Sequence, residues 1–202
     1  INCVRQADLV PEANWQALFN PLDFDTSTLT PLSELAAVNR GIMTGENDFF
    51  ILSQADIDEW GIESQYLSRL VPGPGTVRGY DVRSGDWEDH RYSGEGVWLL
   101  YHGDAIDGVP QTIEAAASGC PAELTLTPDT TSSTSLVDYL QAGLVEHPTL
   151  TERQTVRSRS PWYRVDRRDP APILVPYMSR SGFRALLNET DARYVNNYHG
   201  IY

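Results

Sequence analysis

The chain has 202 residues, of which 41% are hydrophobic, so it is long enough to fold around a core of its own. Its 28 acids and 15 bases give a net charge of −13, and every base is an arginine because the sequence contains no lysine. No apolar run approaches the ~18 residues of a membrane span and no signal-peptide pattern is present, so we expect a cytoplasmic protein and not a membrane-spanning or secreted one.

The first predicted elements surround a polar stretch, RGIMTGEN (40–47). Its two glycines indicate a turn, and the apolar run at 49–53 predicts a buried strand directly after it. Ser53 and Asp56 have the spacing of a helix capping box, in which Asp replaces the usual Glu. A short helix should therefore begin there and end at Gly61, a residue that favours helix termination.

The rest of the chain alternates between helical and extended patterns. The predicted elements are, in order, a helix over 62–71, a strand over 77–82, a polar loop over 83–96, a strand over 97–102, helices over 112–119 and 135–144, a basic helix or helical turn over 151–159, and strands over 162–166, 172–178 and 192–196. The low-complexity stretch 125–135 predicts a surface loop. This irregular mixture predicts a single α+β domain and not a Rossmann-type catalytic domain.

Charge is distributed unevenly along the sequence. Residues 1–150 carry six arginines and 23 acids, a net charge of −17, whereas residues 151–202 carry nine arginines and five acids, a net charge of +4. A basic segment in an acidic protein has two explanations. Its arginines either pair with acids of the same chain or form a surface that binds a polyanion.

The acidic, lysine-free composition also suggests an environment. In molar salt the Debye length falls to about 3 Å, so acidic residues repel one another weakly. We therefore expect a halophilic source, with a GC-rich genome as the alternative explanation for the arginines. Cys3 and Cys120 lack the partners of a zinc site or a disulfide framework, and are expected to be reduced core residues. The chain lacks an initial Met, and we expect it to be a piece of a longer protein.

Several polar stretches could carry chemistry but match no established spacing. GPGTVRG (73–79) lacks the Gly-Lys-Ser/Thr of a phosphate loop and is expected to be a turn. The clusters at 85–90 and 101–108 could bind a metal, but have neither zinc nor EF-hand spacing. The histidines form no nucleophile–base pattern with any Ser or Cys. A small metal-dependent enzyme therefore requires residues 85–108 to converge in one pocket.

The segment 158–184 alternates arginines with aromatic residues, among them Trp162, Tyr163 and Tyr177. Arginine binds phosphate or guanine edges through two hydrogen bonds, and aromatic rings stack on bases. The alternative is a hairpin with aromatic core residues and solvated arginines. Asn196 and Asn197 near the end of the chain could bind adenine or close a turn.

Three segments, taken in order, resemble one known family: LAAVNRGIMTGENDFFILS (35–53), RSPWYRVDRRDPAPILVPYMSR (159–180) and LLNETDARYVNNYHGIY (186–202). They are similar to the C-terminal specificity domain of TaqI-like N6-adenine DNA methyltransferases. The resemblance implies a target-recognition domain over 31–202, with 80–150 as an acidic insertion or subdomain. It also implies that residues 1–30 are an entry segment from an upstream catalytic domain of the same polypeptide.

The resemblance implies that DNA recognition and catalysis lie in different parts of the protein. In this family the catalytic half binds S-adenosylmethionine and holds the target adenine with an Asn-Pro-Pro-Tyr type motif. This sequence has no such motif; the nearest string, at 20–23, lacks the second Pro and the aromatic residue. We therefore expect no catalytic residue, metal or cofactor in this chain. Its partners should be double-stranded DNA and the catalytic domain, in a restriction–modification or phage-defence system.

The resemblance and the residue chemistry together give the expected DNA-binding set. In this interpretation 40–47 is a loop that faces DNA, and Gly41 and Gly45 permit a close backbone approach. The expected contacts are Arg40, Thr44, Asn47, Arg157, Arg159, Trp162, Tyr163, Arg164, Arg180, Arg184, Asn196, Asn197 and His199. The alternative is a non-enzymatic module that binds another protein through the acidic 80–150 region. Arginines that share a face with the 40–47 loop favour DNA, whereas acid-paired arginines favour the module.

Overall fold

A computed structural model describes residue 5 and residues 28–107, 109–119, 135–178 and 182–202. The chain divides into two compact units, Ile1–Ala36 and Ala37–Tyr202. The described part of the first unit contains one short helix, α1 (Leu32–Leu35). The expectations for Cys3, Cys120 and Arg180, and for most of the 125–135 loop, fall outside the described residues.

The second unit has an α+β fold, as predicted. Its helices are α2 (Asn47–Phe50), α3 (Gln54–Trp60), α4 (Ser84–Tyr92), α5 (Ile113–Gly119), α6 (Ser135–Glu146) and α7 (Gln154–Arg157). Its strands are β1 (Val38–Arg40), β2 (Ile51–Leu52), β3 (Leu67–Arg69), β4 (Asp81–Val82), β5 (Trp98–Leu100), β6 (Ile173–Pro176), β7 (Leu186–Asn188) and β8 (Tyr198–Ile201). The described part of this unit also contains two single-turn 3₁₀ helices, Ser64–Tyr66 and Pro148–Thr151.

The larger sheet joins the two ends of this unit. Its five strands have the order β1-β8-β6-β7-β4, and every pair is antiparallel except the parallel pair β4–β7. The last strand, β8, therefore lies between the first strand and β6. The segments 35–53, 159–180 and 186–202, which are far apart in sequence, are brought together by this pairing.

The two faces of the larger sheet have different environments. Because side chains alternate along a strand, Leu174, Leu186 and Tyr198 point to one face, and all three are fully buried. The opposite face carries exposed or half-buried side chains on every strand. One face of the sheet thus covers a core, and the other remains accessible in the described structure.

A second core lies around the three-stranded sheet, whose order is β2-β5-β3. The Phe49 ring stacks on Tyr139 of α6 at a centroid distance of 5.1 Å, and the Tyr139 hydroxyl donates a 2.5 Å hydrogen bond to the Phe49 carbonyl oxygen. This contact fixes the residues that follow the 40–47 stretch against α6. The polar stretch is therefore attached directly to a packed core.

Several predicted elements are confirmed. The Ser53 amide donates to Asp56 Oδ2 at 2.7 Å, and the Asp56 amide donates to Ser53 Oγ at 3.2 Å, which is the predicted capping box of α3. The helix ends at Gly61, whose φ of 62° is left-handed. The structure also contains the predicted helices α5 and α6, and the predicted strands within 97–102 and 172–178.

Other predictions are wrong for identifiable reasons. The 62–71 segment is a 3₁₀ turn followed by β3, because pairing with β5 outweighs local helix propensity. The predicted loop at 83–96 contains α4. This helix buries one large side chain, Trp87, whose indole nitrogen donates to the Leu70 carbonyl oxygen at 3.0 Å. A single buried residue produces no hydrophobic periodicity, so the sequence pattern missed the helix.

The predicted strands near the 40–47 stretch and in the C-terminal region also differ. Phe49 and Phe50 belong to the short helix α2, and only Ile51–Leu52 form a strand. The segments 162–166 and 192–196 contain no strand. Residues 193 and 195 make isolated bridges instead, to Leu70 and Ile42. Buried aromatic side chains account for their strand-like composition.

Candidate nucleic-acid interface

The 40–47 stretch forms a loop attached to the C-terminal segment by backbone hydrogen bonds. The Gly41 amide donates to the Tyr198 carbonyl oxygen at 3.1 Å, and the Ile42 amide donates to that of Tyr194 at 3.0 Å. In return, the Asn196 amide donates to the Ile42 carbonyl oxygen at 3.0 Å. The loop and the tail of the chain, which the sequence analysis considered separately, therefore form one structure.

The backbone at Gly41 closely approaches another segment of the protein, whereas the sequence analysis expected a close approach to DNA. A Cβ atom at this position would lie 2.1 Å from the Val195 carbonyl oxygen, a distance that no side chain tolerates. Gly45 has a φ of 91°, and its nearest neighbour is Val156. Both glycines therefore serve the packing of the loop against 155–156 and 195, and the close approach to DNA expected at these positions is not needed to explain them.

Thr44 and Asn47 interact with each other inside the loop. The Thr44 hydroxyl donates a 2.6 Å hydrogen bond to Asn47 Oδ1. Thr44 is buried, whereas Asn47 is exposed at the first position of α2. Of the two expected contacts, Asn47 is the side chain available to an external partner, and Thr44 orients it.

Arg159 holds the loop from the other side. Its Nη1 donates a 2.7 Å hydrogen bond to the Thr44 carbonyl oxygen, and its Nη2 donates to that of Met43. The guanidinium also lies over the Phe50 ring, 5.6 Å from its centroid. Burial lowers the pKa of Arg159, and the nearby Asp166 carboxylate acts in the opposite direction. Arginine remains protonated in proteins, so this is a fixed positive charge under the loop.

Two exposed arginines of the basic segment pair with acids of the same chain. Arg153 Nη2 lies 3.2 Å from Glu46 Oε2, and Arg157 Nε lies 2.9 Å from Glu114 Oε1. The hydrogen bond from Arg157 lowers the pKa of Glu114. Arg184 instead donates to the backbone carbonyl oxygens of Val77 and Gly79. Part of the positive charge is thus used internally.

Three arginines of the basic segment line a concave region next to the loop. We call this region the arginine cleft; it has a volume of about 340 Å³ and is lined by Ser158, Arg159, Ser160, Arg164, Val165, Asp166 and Arg167. Arg164 and Arg167 are exposed. Within the part of the chain that the structure describes, neither guanidinium forms an ion pair with an acid. The predicted contact Arg164 therefore lies beside Arg159, and Arg167 joins them although it was absent from the predicted set.

Trp162 and Tyr163 lie in the core, not on the surface. Trp162 is fully buried and stacks on Phe49 at 5.8 Å. The Tyr163 hydroxyl donates to the Asp104 carbonyl oxygen at 3.0 Å and accepts from the Ile106 amide at 2.9 Å. In this structure both residues therefore have the alternative role named in the sequence analysis, that of aromatic core residues. They offer no exposed ring face to a base.

The accessible face of the larger sheet has a polar end at the loop. Arg40 on β1 is paired directly with His199 on β8, which brings Cβ atoms to roughly 5 Å of each other. The Tyr177 ring, exposed beyond the end of β6, lies 5.5 Å from the His199 ring. The structure thus brings two predicted contacts together and adds Tyr177. Asn196 and Asn197 lie half-buried in the turn before β8.

The opposite end of the same face is apolar. Strand register aligns one aliphatic residue from each of four strands, a set that we call the apolar row: Val38, Ile201, Ile173 and Leu187. Val38 is 51% exposed, Ile173 38% and Leu187 46%. Contiguous exposed apolar residues on a sheet are typical of interaction surfaces.

The described residues contain no group of three or more His, Cys, Asp or Glu side chains that could hold a metal ion. His90 in α4 instead pairs with Glu95, with Nδ1 3.1 Å from Oε2. In the same part of the chain, no helix is long and apolar enough to cross a membrane.

Both comparisons with known proteins lead to type II methyltransferases. Residues 17–202 match the family described as the C-terminal domain of the type II methyltransferase M.Eco57I. The chain is also 28% identical over 198 residues to the type II methyltransferase M.AccI of Acinetobacter calcoaceticus. This alignment covers 96% of the chain but 31% of M.AccI, so the chain spans about a third of the length of that relative.

Proposed function

Because the chain belongs to the family of the M.Eco57I C-terminal domain, we propose that it recognises the DNA sequence on which a methyltransferase acts. One observation carries the proposal: Arg159 lines the arginine cleft and also holds the backbone of the 40–47 loop. The loop in turn continues from β1, which carries Arg40 next to His199. Exposed groups suited to bases and to phosphates therefore occupy one continuous part of the fold.

The exposed groups of the loop and the sheet end have the chemistry of base recognition. Arg40 can donate two hydrogen bonds to a guanine, and the exposed amide of Asn47 can bind the edge of an adenine. Tyr177 and His199 offer adjacent rings that could stack on an unpaired base. We propose Arg40, Asn47, Tyr177, Asn196 and His199 as the residues that contact bases. Thr44 and Arg159 act by positioning the loop.

Because the chain as a whole is strongly negative, DNA binding requires a local region of positive charge. The nine arginines after residue 150 supply a net positive segment, and three of them, Arg159, Arg164 and Arg167, line the arginine cleft. In a halophilic cell, high salt would weaken the release of counterions that normally drives DNA binding. Hydrogen bonds to bases and complementarity of shape would then contribute a larger share of the affinity.

The methyl transfer itself we assign to a part of the protein outside this chain. We propose that the partner is an adenine-N6 methyltransferase domain of the same polypeptide, which would bind S-adenosylmethionine, in a restriction–modification or phage-defence system. The sequence here contains no Asn-Pro-Pro-Tyr or Asp-Pro-Pro-Tyr string to hold a target adenine. A domain boundary near residue 31, with 80–150 as an insertion, remains our proposal.

The apolar row is the surface that we propose for contact with this catalytic domain. The chain matches 31% of M.AccI, and the matched family is a C-terminal domain, so the rest of such a polypeptide would precede it. That part would join the second unit at β1, the edge strand that carries Val38. Docking along Val38, Ile201, Ile173 and Leu187 would leave the polar end of the sheet face free for DNA.

Selection from a random-sequence duplex pool tests the recognition proposal. The chain is incubated with the pool in molar KCl, and the bound duplexes are amplified and sequenced. We expect enrichment of one short motif. The alternative function, a module that binds another protein, predicts a different result. No motif would be enriched, and the acidic 80–150 region would selectively capture a protein partner.

The base and the atom that are modified need a separate measurement. The full-length polypeptide that contains this chain is incubated with S-adenosylmethionine and duplex DNA carrying the enriched motif. We expect N6-methyladenine at one position of that motif, detected by mass spectrometry of the nucleosides. Methylcytosine in its place would overturn the adenine specificity and leave sequence recognition intact.

A further inference from the structure

The arginine cleft combines positive charge and hydrogen-bond donors in a concave surface. Three arginines, two serines and one acid line it, so its lining carries a net positive charge. Arginine N–H groups arranged around a concavity match a tetrahedral oxyanion, because a planar guanidinium donates to two oxygens at once. The hydroxyls of Ser158 and Ser160 provide further donors of the kind that contact phosphate oxygens.

We propose that the arginine cleft binds a phosphate of the nucleic-acid backbone, and that Arg159 links this phosphate to the position of the 40–47 loop. The proposal rests on the proposed function for the source of the phosphate. It adds Arg167 to the DNA-contacting residues and gives Arg164 and Arg167 a sequence-independent role. It also assigns to Arg159 a role different from that of its two neighbours.

The donors of Arg159 explain the link. A guanidinium has five N–H groups, and the Thr44 and Met43 carbonyl oxygens use one each from Nη1 and Nη2. No acceptor in the described part of the chain engages the remaining N–H groups, which can therefore donate to an oxyanion in the cleft that this residue lines. A phosphate bound there would be held at a fixed position relative to the carbonyl of Thr44, and hence relative to Asn47.

Asp166 helps to set where the phosphate lies. It lines the same cleft and interacts electrostatically with Arg159. A carboxylate repels an oxyanion, so the phosphate should sit towards Arg164 and Arg167, which lack an acidic partner among the residues described by the structure.

Salt dependence of duplex binding tests the proposal on the whole chain. The logarithm of the binding constant falls by about 0.9 per phosphate contact for each unit of the logarithm of salt concentration. We expect the slope to become shallower by about one to two in the double variant Arg164→Gln, Arg167→Gln, on every duplex sequence alike. The control is Arg83→Gln, which removes one positive charge from an arginine paired with Asp81 and Glu189. It should retain the slope of the unmodified chain.

A second measurement does not depend on variants that must fold. In the unmodified protein, the guanidinium Nε–Hε resonances of Arg164 and Arg167 should shift on titration with a short duplex, while that of Arg83 should not. Inorganic phosphate, added alone, should cause the same shifts only at far higher concentration. Comparable shifts by free phosphate at the concentration of the duplex would overturn the assignment to a nucleic-acid backbone.

The outcomes separate this proposal from the proposed function. If one motif is enriched but the slope and the resonances do not respond at Arg164 and Arg167, the phosphate site is wrong and sequence recognition stands. If the slope becomes shallower but no motif is enriched, the phosphate site stands and sequence recognition fails. If Arg83→Gln, which removes one charge, makes the slope shallower by half as much as the double variant, which removes two, net charge alone explains the binding and the cleft is not a site.

Discussion

Arg159 and Thr44 are 115 residues apart in sequence, and Arg159 Nη1 donates a 2.7 Å hydrogen bond to the Thr44 carbonyl oxygen. The same guanidinium also bonds to the Met43 carbonyl oxygen and lies over the Phe50 ring. A residue of the basic C-terminal segment therefore fixes the geometry of a loop near the start of the second unit. This contact explains how two distant segments form one surface.

Replacing this guanidinium should loosen the loop. Arg159→Lys keeps the charge but cannot reach both carbonyl oxygens, and hydrogen bonds to a charged group contribute roughly 1.5–3 kcal/mol each. We expect the free energy of unfolding to fall by about 1–3 kcal/mol in a denaturant titration. Amide hydrogen exchange at residues 43–47 should accelerate more than in the rest of the chain.

Arg157→Lys is the matched control, because Arg157 pairs with Glu114 on the surface. It should leave the denaturation midpoint and the exchange rates of the loop unchanged. Equal effects of the two substitutions would show that Arg159 has no special part in holding the loop.

The close packing at Gly41 makes a second prediction. In Gly41→Ala the new methyl group would meet the Val195 backbone, which cannot move without disturbing the tail before β8. We expect the free energy of unfolding to fall by about 1–3 kcal/mol and duplex binding to weaken. Gly75→Ala, where no atom lies within 4 Å of the added group, should change stability by less than about 0.5 kcal/mol. A well-folded Gly41→Ala protein of unchanged stability would contradict the packing.

Buried tyrosines predict alkaline sensitivity. Burial raises the pKa of the Tyr198 hydroxyl, which donates a 2.8 Å hydrogen bond to the Pro72 carbonyl oxygen, and burial also raises the pKa of Tyr139. A pKa that is higher in the folded than in the unfolded state contributes stability below the unfolded value, and this contribution is lost as pH rises. The free energy of unfolding should therefore fall above about pH 10.

The Tyr198→Phe variant isolates this contribution. It should be less stable near neutral pH by about 1 kcal/mol, because the hydrogen bond is lost, and its stability should fall less steeply above about pH 10. Tyr80→Phe, at an exposed position, should keep the slope of the unmodified chain. An identical alkaline slope in Tyr198→Phe would refute the account.

We expect the apolar row to contact the proposed catalytic domain. Ile173→Gln and Leu187→Gln change side chains that are 38% and 46% exposed, so the isolated chain should remain folded and retain duplex binding. Its association with a separately expressed catalytic domain, measured by calorimetry, should weaken at least tenfold. Tyr92→Gln changes an exposed aromatic residue on α4 and should leave this association intact. The reverse pattern would place the contact on α4.

The fold was predictable where one local rule decides the structure. Ser53 and Asp56 specify a helix start by themselves, and Gly61 specifies its end. The helix α4 was not predictable in the same way, because Trp87 alone anchors it. The interior position of β8 in the larger sheet depends on pairing with β6 and with β1, which lies at the other end of the second unit. Contacts of that kind leave no trace in local periodicity.

The candidate site shows the same limit. The sequence located the basic segment but could not separate Arg157, which pairs with Glu114, from Arg164, which does not. Nor could it show that Trp162 and Tyr163 are buried, since aromatic residues suit both a core and a base-stacking surface. Period-two alternation from Ile173 through Val175 to Tyr177, however, was visible in the sequence. Applied to β6, it would have placed Tyr177 on the accessible face.

The most direct test of sequence recognition is selection from a random duplex pool, carried out in parallel with the unmodified chain and with Arg40→Ala, Asn47→Ala and His199→Ala. Residues that contact bases should each determine particular positions of the motif. We expect each variant to select a motif relaxed at one position and unchanged elsewhere, while Arg83→Ala selects the original motif. An unaltered motif in all three variants would contradict the proposed interface, and the absence of a motif with the unmodified chain would contradict recognition by this domain.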